Sequence, residues 1–245
     1  MPKAARVDGW SVHAMGEVAS TNWVAAKLPQ WSAVTARRQT AGRGRFQRSW
    51  ISDEGGLWLS AVVPIEEGSS CRALPLAIGL AVSNALRELG VLGLRMRWPN
   101  DLLVNNRKLA GLLIDQFEPG LAVAGIGVNV LNRPEESDPS LKDQTARLAD
   151  LVPSPPSLPD LTGSILRHLR CVMEQMQGGG FGVLCSEING LWGPPRQVEL
   201  DLDGVICSGL FGGIDAEGNL ILWDEFGGSS TFGSHQVRHL KELMK

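Results

Sequence analysis

Residues 42–50 combine two features that suit anion binding. Arg43, Arg45 and Arg48 lie within six residues of one another, and a guanidinium group keeps its charge at neutral pH. The glycines that alternate with them let main-chain N–H groups approach a ligand closely. This composition predicts an ordered loop that binds a phosphate or a carboxylate. A solvated basic turn and an RNA-binding Gly-Arg tract are alternatives that the loop alone leaves open.

A second segment pairs a carboxylate with an isolated amine. Asp101 begins a short apolar run, and Lys108 follows the Asn105-Asn106 pair, which is typical of a tight hairpin turn. A hairpin brings the two side chains to about the same end of a sheet. The alternative is a salt bridge at a sheet edge, which contributes little. Lys108 is the sole lysine in residues 28–141 and precedes an apolar run, which favours a core-facing strand.

A third segment places glycines inside an apolar strand. Gly125 and Gly127 precede the polar Asn129. Strand glycines often mark a place where a ligand or another backbone comes very near. A bulge or a sheet-packing requirement explains them equally well.

The elements that position these segments alternate between strand and helix. Ser20 is the expected N-cap of a short helix that ends before Pro29. Apolar residues at helical spacing predict helices over 74–89 and 161–176. Apolar runs predict strands over 33–39, 56–64, 94–98, 102–104, 109–117 and 121–130. We therefore expect an α+β fold with a mixed central sheet flanked by helices.

The pattern changes after Pro194-Pro195. Short strands are predicted over 198–200, 205–211, 219–223 and 230–232. They indicate a small all-β barrel that depends on the larger unit for stability. We expect a catalytic domain over residues 1–190 and a second domain over residues 191–245. Residues 132–159, which are rich in Pro, Ser and Asp, are predicted to be an exposed excursion.

Composition excludes several classes of protein. The 23 Lys and Arg nearly balance the 26 Asp and Glu, so the whole chain lacks the basic character of a nucleic-acid or anionic-membrane binder. The four cysteines and four histidines are scattered, which argues against a zinc site or a disulfide framework. No apolar run reaches membrane-spanning length, and the segment 1–10 has no hydrophobic signal core. We expect a cytoplasmic protein.

Five segments in chain order resemble the biotin protein ligase family, each weak alone but specific together. They are Ser20-Thr21-Asn22 and residues 42–50, 97–102, 107–113 and 125–130. Gln47 stands where the family usually has glycine, and Arg97 stands where it usually has lysine. The resemblance implies a class II synthetase-like (biotin-lipoate ligase-like) mixed sheet followed by an SH3-like barrel. No helix-turn-helix region precedes the first motif, so we expect a ligase without a repressor function.

The resemblance also implies roles for individual residues. The enzyme would form biotinyl-5′-AMP from biotin and ATP, then transfer biotin to a lysine of a biotin carboxyl carrier domain. Biotin would be bound by Ser20, Thr21, Asn22, Gln39, Arg43, Gly44, Arg45, Lys108 and Gly111. ATP would be bound by Arg43, Arg45, Arg48, Trp50, Asn100, Lys108 and Asn129. Catalysis is assigned first to Lys108, with Arg45, and with Asp101 helping to deprotonate the acceptor lysine; Asp101 and Asn129 would hold Mg²⁺.

Two alternatives remain open from the sequence. Lipoate ligases and octanoyl transferases share the superfamily but fit the motifs less well. A non-catalytic nucleic-acid module would use residues 42–50, here called the arginine loop, together with the small barrel. The carboxyl-terminal part is acidic, however, which argues against this alternative. We therefore expect no DNA or membrane partner, and a homodimer is an assembly that the resemblance allows.

Overall fold

The computed structural model describes residues 4–66 and 71–243. Residues 1–3, which belong to the segment judged to lack a signal core, lie outside the described residues. No helix in the described ranges combines the length and the apolar character needed to span a membrane.

The main sheet has eight strands. They are β1 (Ala5–Val7), β2 (Trp10–Val18), β3 (Ser32–Gln39), β4 (Leu57–Pro64), β5 (Leu94–Arg97), β6 (Asp101–Val104), β7 (Arg107–Glu118) and β8 (Leu121–Val128). Their spatial order is β1-β2-β3-β4-β8-β7-β6-β5. Strands β2 and β3 are parallel and the other neighbours antiparallel, so the predicted mixed sheet is confirmed. The first two strands were not predicted.

Helices cover both faces of this sheet. They are α1 (Thr21–Ala25), α2 (Leu74–Glu88), α3 (Pro134–Ser137), α4 (Leu158–Gly179) and α5 (Cys185–Asn189). The apolar stripe predicted for α4 is buried in the core, and Gly180, with φ of 71°, follows its last residue. On the opposite face, Ala25 of α1 packs in a small buried cluster with valines of β3, β4 and β8. Ser20 precedes α1 but makes no side-chain cap hydrogen bond.

The β6–β7 hairpin follows from its turn residues. Asn105 and Asn106 have φ of 51° and 62°, the left-handed region that asparagine tolerates and that a type I′ turn requires. A register shift between Leu102 and Leu103 interrupts the pairing of the two strands. Asp101 lies opposite Gly111 and Lys108 opposite Leu103, and the two side chains meet across the hairpin at 2.7 Å.

Residues 132–159 differ from the expected exposed excursion. Leu148 and Val152 are buried in the core. The main chain also pairs with β7, because the Lys108 N–H donates to Gln144 O at 2.8 Å and the Ala146 N–H donates to Lys108 O at 2.9 Å. The segment therefore encloses the backbone that carries Lys108.

The carboxyl-terminal strands form an open sheet. They are β9 (Gln197–Leu202), β10 (Val205–Ile214), β11 (Leu220–Trp223), β12 (Ser229–Phe232) and β13 (His239–Leu243), in the order β12-β11-β10-β9-β13. The β-rich unit is confirmed, but the closed barrel is not, since β12 and β13 are opposite edges of the described sheet. The chain between them lies against the arginine loop, where Ser234 and Val237 accept hydrogen bonds from Arg45. The proposed boundary at residue 190 stays a prediction.

Candidate functional site

One cavity of about 280 Å³ opens between the main sheet, the arginine loop and the carboxyl-terminal sheet. Every site residue predicted from the sequence lines it. They are Ser20, Thr21, Asn22, Gln39, Arg43, Gly44, Arg45, Arg48, Trp50, Asn100, Asp101, Lys108, Gly111 and Asn129. The structure thus brings together Gln39 and residues of all five motif segments, which span 109 positions (129 minus 20) of the chain from Ser20 to Asn129.

One end of the cavity, here called the amide end, is lined by Thr21, Asn22 and Gln39 and supported by the fully buried Ser60. The Thr21 N–H donates to Gln39 Oε1 at 2.8 Å, and the Thr21 hydroxyl lies 2.9 Å from the same oxygen. Ser60 Oγ lies 2.7 Å from Thr21 Oγ1 and 2.5 Å from Asn22 Oδ1. Because Thr21, Asn22 and Ser60 are buried, these hydrogen bonds fix their rotamers. The amide end is a preformed, uncharged polar surface.

Strand glycines make room for the side chains at the cavity floor. A Cβ on Gly125 would lie 2.6 Å from Asn22 Oδ1, and one on Gly127 would lie 2.7 Å from Trp50 Nε1. A Cβ on Gly111 would meet the same indole ring at 2.9 Å. The close approach predicted for the glycines of β8 is therefore made by side chains of α1 and of the arginine loop.

The opposite end, here called the cation end, gathers six positive charges around one carboxylate. Its members are Arg43, Arg45, Arg48, Arg97, Lys108 and Arg238, with Asp101 among them. The chain as a whole carries a formal charge of −3. The concentration of positive charge is therefore local, and it suits a polyanionic ligand.

Asp101 holds two of these cations. Its Oδ1 lies 2.7 Å from Lys108 Nζ, and its Oδ2 accepts from Arg97 at 2.6 Å. Burial raises the pKa of Asp101, but the charges and hydrogen bonds of Lys108 and Arg97 outweigh burial, so this pKa lies below its ordinary value. Asp101 is therefore ionised at neutral pH. The role of a base toward the acceptor lysine stays a prediction, and a lowered pKa does not favour it.

The proposed magnesium ligands do not fit a resident ion in this arrangement. Both oxygens of Asp101 are engaged by cations, and Asn129 Oδ1 accepts from Asn132 Nδ2 at 3.0 Å. Mg²⁺ requires free oxygen donors in octahedral geometry. Within residues 4–66 and 71–243, no cluster of three His, Cys, Asp or Glu side chains could hold a metal. We derive no step through Mg²⁺.

The arginine loop is anchored at each of its guanidinium groups. Arg43 lies over the Trp23 ring at 4.6 Å, and its NH2 atom is 3.9 Å from Asp115. Arg45 donates to the carbonyls of Ser234 and Val237 at 2.5 and 3.3 Å. Burial lowers the pKa of Arg45. The loop is therefore fixed by both the main sheet and the carboxyl-terminal sheet.

Two buried nitrogen atoms at the cavity lack a protein acceptor. Arg43 Nε and Trp50 Nε1 are buried and have no hydrogen-bond partner among the described residues. An unpaired buried N–H is costly unless a ligand or water accepts from it. Both atoms belong to residues that line the cavity.

The loop contains strained backbone at the position that departs from the family pattern. Phe46 and Gln47 have φ of 54° and 59°, a region that disfavours residues with a Cβ. The Phe46 ring lies between the guanidinium groups of Arg45 and Arg238, each at 4.8 Å. These contacts hold the loop in a conformation that glycine at position 47 would adopt without strain.

Several residues of the site were not identified from the sequence. Ser60 supports the amide end. The feature of the sequence that could have identified it is its position as a single polar residue inside the apolar run of β4. Asp115 accepts from Asn22 Nδ2 at 2.8 Å. Arg238 and His239 reach the cavity from the carboxyl-terminal sheet. Burial and the charges of Arg48 and Arg97 lower the pKa of His239 against the opposing carboxylates. Only tertiary contact could reveal these last two.

A buried ion cluster attaches the carboxyl-terminal sheet to the main sheet. Glu242 of β13 accepts from Arg95 of β5 at 2.8 and 2.6 Å and pairs with Arg196 at 3.2 Å. Only 14–15% of each of these three side chains is exposed. The cluster keeps the segment 233–239 against the cavity.

The chain matches known proteins in sequence. Residues 15–130 match the model of the Biotin/lipoate A/B protein ligase family. The chain is 32% identical over 229 residues to the bifunctional ligase/repressor BirA of Escherichia coli, covering 89% of this chain and 70% of that protein. It is 35% identical over 149 residues to the biotin--[acetyl-CoA-carboxylase] ligase of Mycobacterium tuberculosis, covering 57% of this chain and 53% of that protein.

The fold matches a solved structure over nearly its whole length. The biotin protein ligase of Aquifex aeolicus, solved in complex with biotin and ATP, superimposes with a TM-score of 0.85 at 26% identity. The match covers 95% of this chain and 99% of that one. The similarity includes the carboxyl-terminal sheet, because the coverage extends beyond residues 15–130.

Proposed function

The chain belongs to the Biotin/lipoate A/B protein ligase family, and from this membership we propose that it is a biotin protein ligase. It joins biotin to ATP as biotinyl-5′-AMP with release of pyrophosphate, and then transfers the biotinyl group to a lysine of a carrier domain. The matches to named biotin ligases support the resemblance drawn from the five motifs.

One observation carries the proposal: an uncharged polar end and a strongly cationic end meet in the same cavity. Biotin has the same polarity, with a ureido ring that exchanges hydrogen bonds at one end and a carboxylate at the other. The amide end fits the ring, and the cation end fits the carboxylate together with the ATP phosphates. Biotin and ATP are therefore the substrates that the cavity suits.

The first step brings two anions together. A carboxylate oxygen of biotin attacks the α-phosphorus, the bond to the β-phosphate oxygen breaks, and pyrophosphate leaves. The barrier falls mainly through positioning and neutralisation of charge. Lys108 suits the position between carboxylate and α-phosphate, because Asp101 holds its ammonium at 2.7 Å and the Trp50 ring lies 4.8 Å from Nζ.

In the second step the amine of the acceptor lysine attacks the acyl carbon, and AMP leaves. Relatives named biotin--[acetyl-CoA-carboxylase] ligases support a carboxylase carrier domain as the acceptor. The acceptor amine must first lose a proton. The predicted homodimer and the predicted lack of DNA binding are independent of this chemistry and stay predictions.

The amide end favours biotin over lipoate. A dithiolane ring offers neither N–H nor C=O, so it would bury the polar surface of Thr21, Asn22 and Gln39 without exchanging hydrogen bonds. A site built to bond a polar group rejects an analogue that lacks it. Lipoate and octanoate are therefore the competing acids to test.

The test is pyrophosphate release from ATP and Mg²⁺ with each acid. We expect release with biotin, little with lipoate or octanoate, and a fall of about 10²–10³-fold in Lys108→Ala, as for loss of one group that stabilises developing charge. Lys142→Ala, which removes an exposed lysine, serves as the control and keeps its rate. No release with biotin, or release with lipoate alone, would overturn the proposal.

A further inference from the structure

Asp115 joins the two ends of the cavity without lining it. It lies on β7, and its side chain is 28% exposed. One oxygen, Oδ2, accepts from Asn22 Nδ2 at 2.8 Å and lies 3.9 Å from Arg43 NH2. A single carboxylate therefore contacts one residue of the amide end and one of the cation end.

The hydrogen bonds at the amide end fix the orientation of Asn22. Its Oδ1 can only accept, so the single proton of the Ser60 hydroxyl goes to this oxygen at 2.5 Å. Nδ2 must then face Asp115, because a carboxylate can only accept. Ser60 sets one side of the amide and Asp115 sets the other. Without the carboxylate, Ser60 alone among these contacts would hold the amide, and a hydroxyl can pair with either its oxygen or its nitrogen.

Arg43 is held at the other side of the same carboxylate. The Trp23 ring at 4.6 Å restricts its guanidinium plane, and Asp115 attracts its NH2 atom. These contacts leave Nε buried and without an acceptor among the described residues.

We propose that Asp115 is a positioning residue for the acid substrate, which fixes the amide of Asn22 and the guanidinium of Arg43 in one geometry. The inference rests on the proposed function, since it assigns the two groups to the ring and the carboxylate of biotin. Asp115 acts through its neighbours and does not contact the substrate. Its loss should weaken biotin binding more than nucleotide binding, because the 2.8 Å hydrogen bond is to Asn22, assigned to biotin alone, and the contact with Arg43 is 3.9 Å long.

The test is steady-state pyrophosphate release by Asp115→Asn, with biotin and ATP varied separately. We expect the KM for biotin to rise about tenfold, as for loss of one hydrogen bond to a charged group. The KM for ATP should change by less than about twofold. Asp115→Glu keeps the charge and should recover most of the lost affinity. Asp143→Asn, which removes an exposed carboxylate paired with Arg107 at 3.4 Å, is the matched control.

A double-mutant cycle separates positioning from a general effect on folding. Asn22→Ala should raise the KM for biotin, and adding Asp115→Asn should raise it by much less than in the wild-type background, because the two residues act in one contact. Fully additive effects, or equal rises in both KM values, would overturn the inference. If the wild-type protein releases no pyrophosphate with biotin, the proposed function fails first; normal wild-type turnover with an unchanged Asp115→Asn variant rejects only the role of Asp115.

Discussion

The amide end and the cation end of the cavity are built in opposite ways. The amide end lies on α1, β3 and β4, and its buried side chains satisfy one another within the main sheet. The cation end depends on a loop with left-handed backbone at Phe46 and Gln47 and on carbonyls supplied by Ser234 and Val237. Ring recognition is therefore preorganised by the main sheet and α1, whereas charge neutralisation also depends on the segment that precedes β13.

This difference has a physical origin. Uncharged donors and acceptors can be buried when they pair with one another. Like charges such as the six at the cation end repel one another, so they must be held by external contacts. Substitutions at the two ends should accordingly affect different substrates.

Among substitutions that alter the KM of one substrate, the largest effect is expected for Arg45→Ala. This change removes a partly buried guanidinium together with its hydrogen bonds to Ser234 and Val237. We expect the KM for ATP to rise about 100-fold, as for loss of two charge-assisted hydrogen bonds. Measuring the KM for ATP and the KM for biotin separately tests this prediction. Arg37→Ala, which removes an exposed side chain, is the control. A rise confined to biotin would remove the distinction between the two ends.

Ser60→Ala tests the amide end. It leaves Asn22 Oδ1 without its hydroxyl donor inside a buried site. We expect the KM for biotin to rise about tenfold with the KM for ATP unchanged. Ser83→Ala is the matched control, because that buried hydroxyl has no partner among the described residues. An effect on ATP equal to that on biotin would contradict the preorganised role.

Gln47→Gly addresses strain in the loop. Glycine adopts a φ of 59° without a Cβ clash, but it also adds freedom to the unfolded chain. We expect a net gain of about 0.5 kcal/mol in the free energy of unfolding, measured in urea. Gln47→Ala retains the Cβ and should show no gain. Equal gains in both variants would mean that the glutamine side chain, not its backbone, is unfavourable.

The smallest effect is expected for Asp101, whose contribution to the free energy of unfolding should stay constant between pH 5 and pH 6. Its pKa is below the ordinary value in the folded state, so its ionisation stabilises the fold above pH about 4, and this stability is lost as the pH falls through the folded pKa. Between pH 6 and pH 5, urea unfolding should show a constant difference between wild type and Asp101→Asn. Below pH 4 the difference should shrink. A difference that grows on acidification would mean that the pKa is raised instead.

The sequence predicted the principal elements because their signals are local. The stripe of α4, the Asn105-Asn106 turn and the apolar runs each depend on residues adjacent in the chain. The unpredicted strands are β1, β2 and β13. Strand β2 alternates weakly between buried and exposed residues, so its periodicity is poor, and β13 is paired only through a distant partner, β9.

The sequence by itself determined that the motif residues enter the cavity, since the motifs carry the side chains and the glycines that give them room. Tertiary structure alone decided other partners: Asp115 facing Asn22, and Ser234 and Val237 holding Arg45. The reason is that hydrogen bonds and charge pairs depend on distances of a few ångströms between segments far apart in the chain. Local propensity sets no such distance.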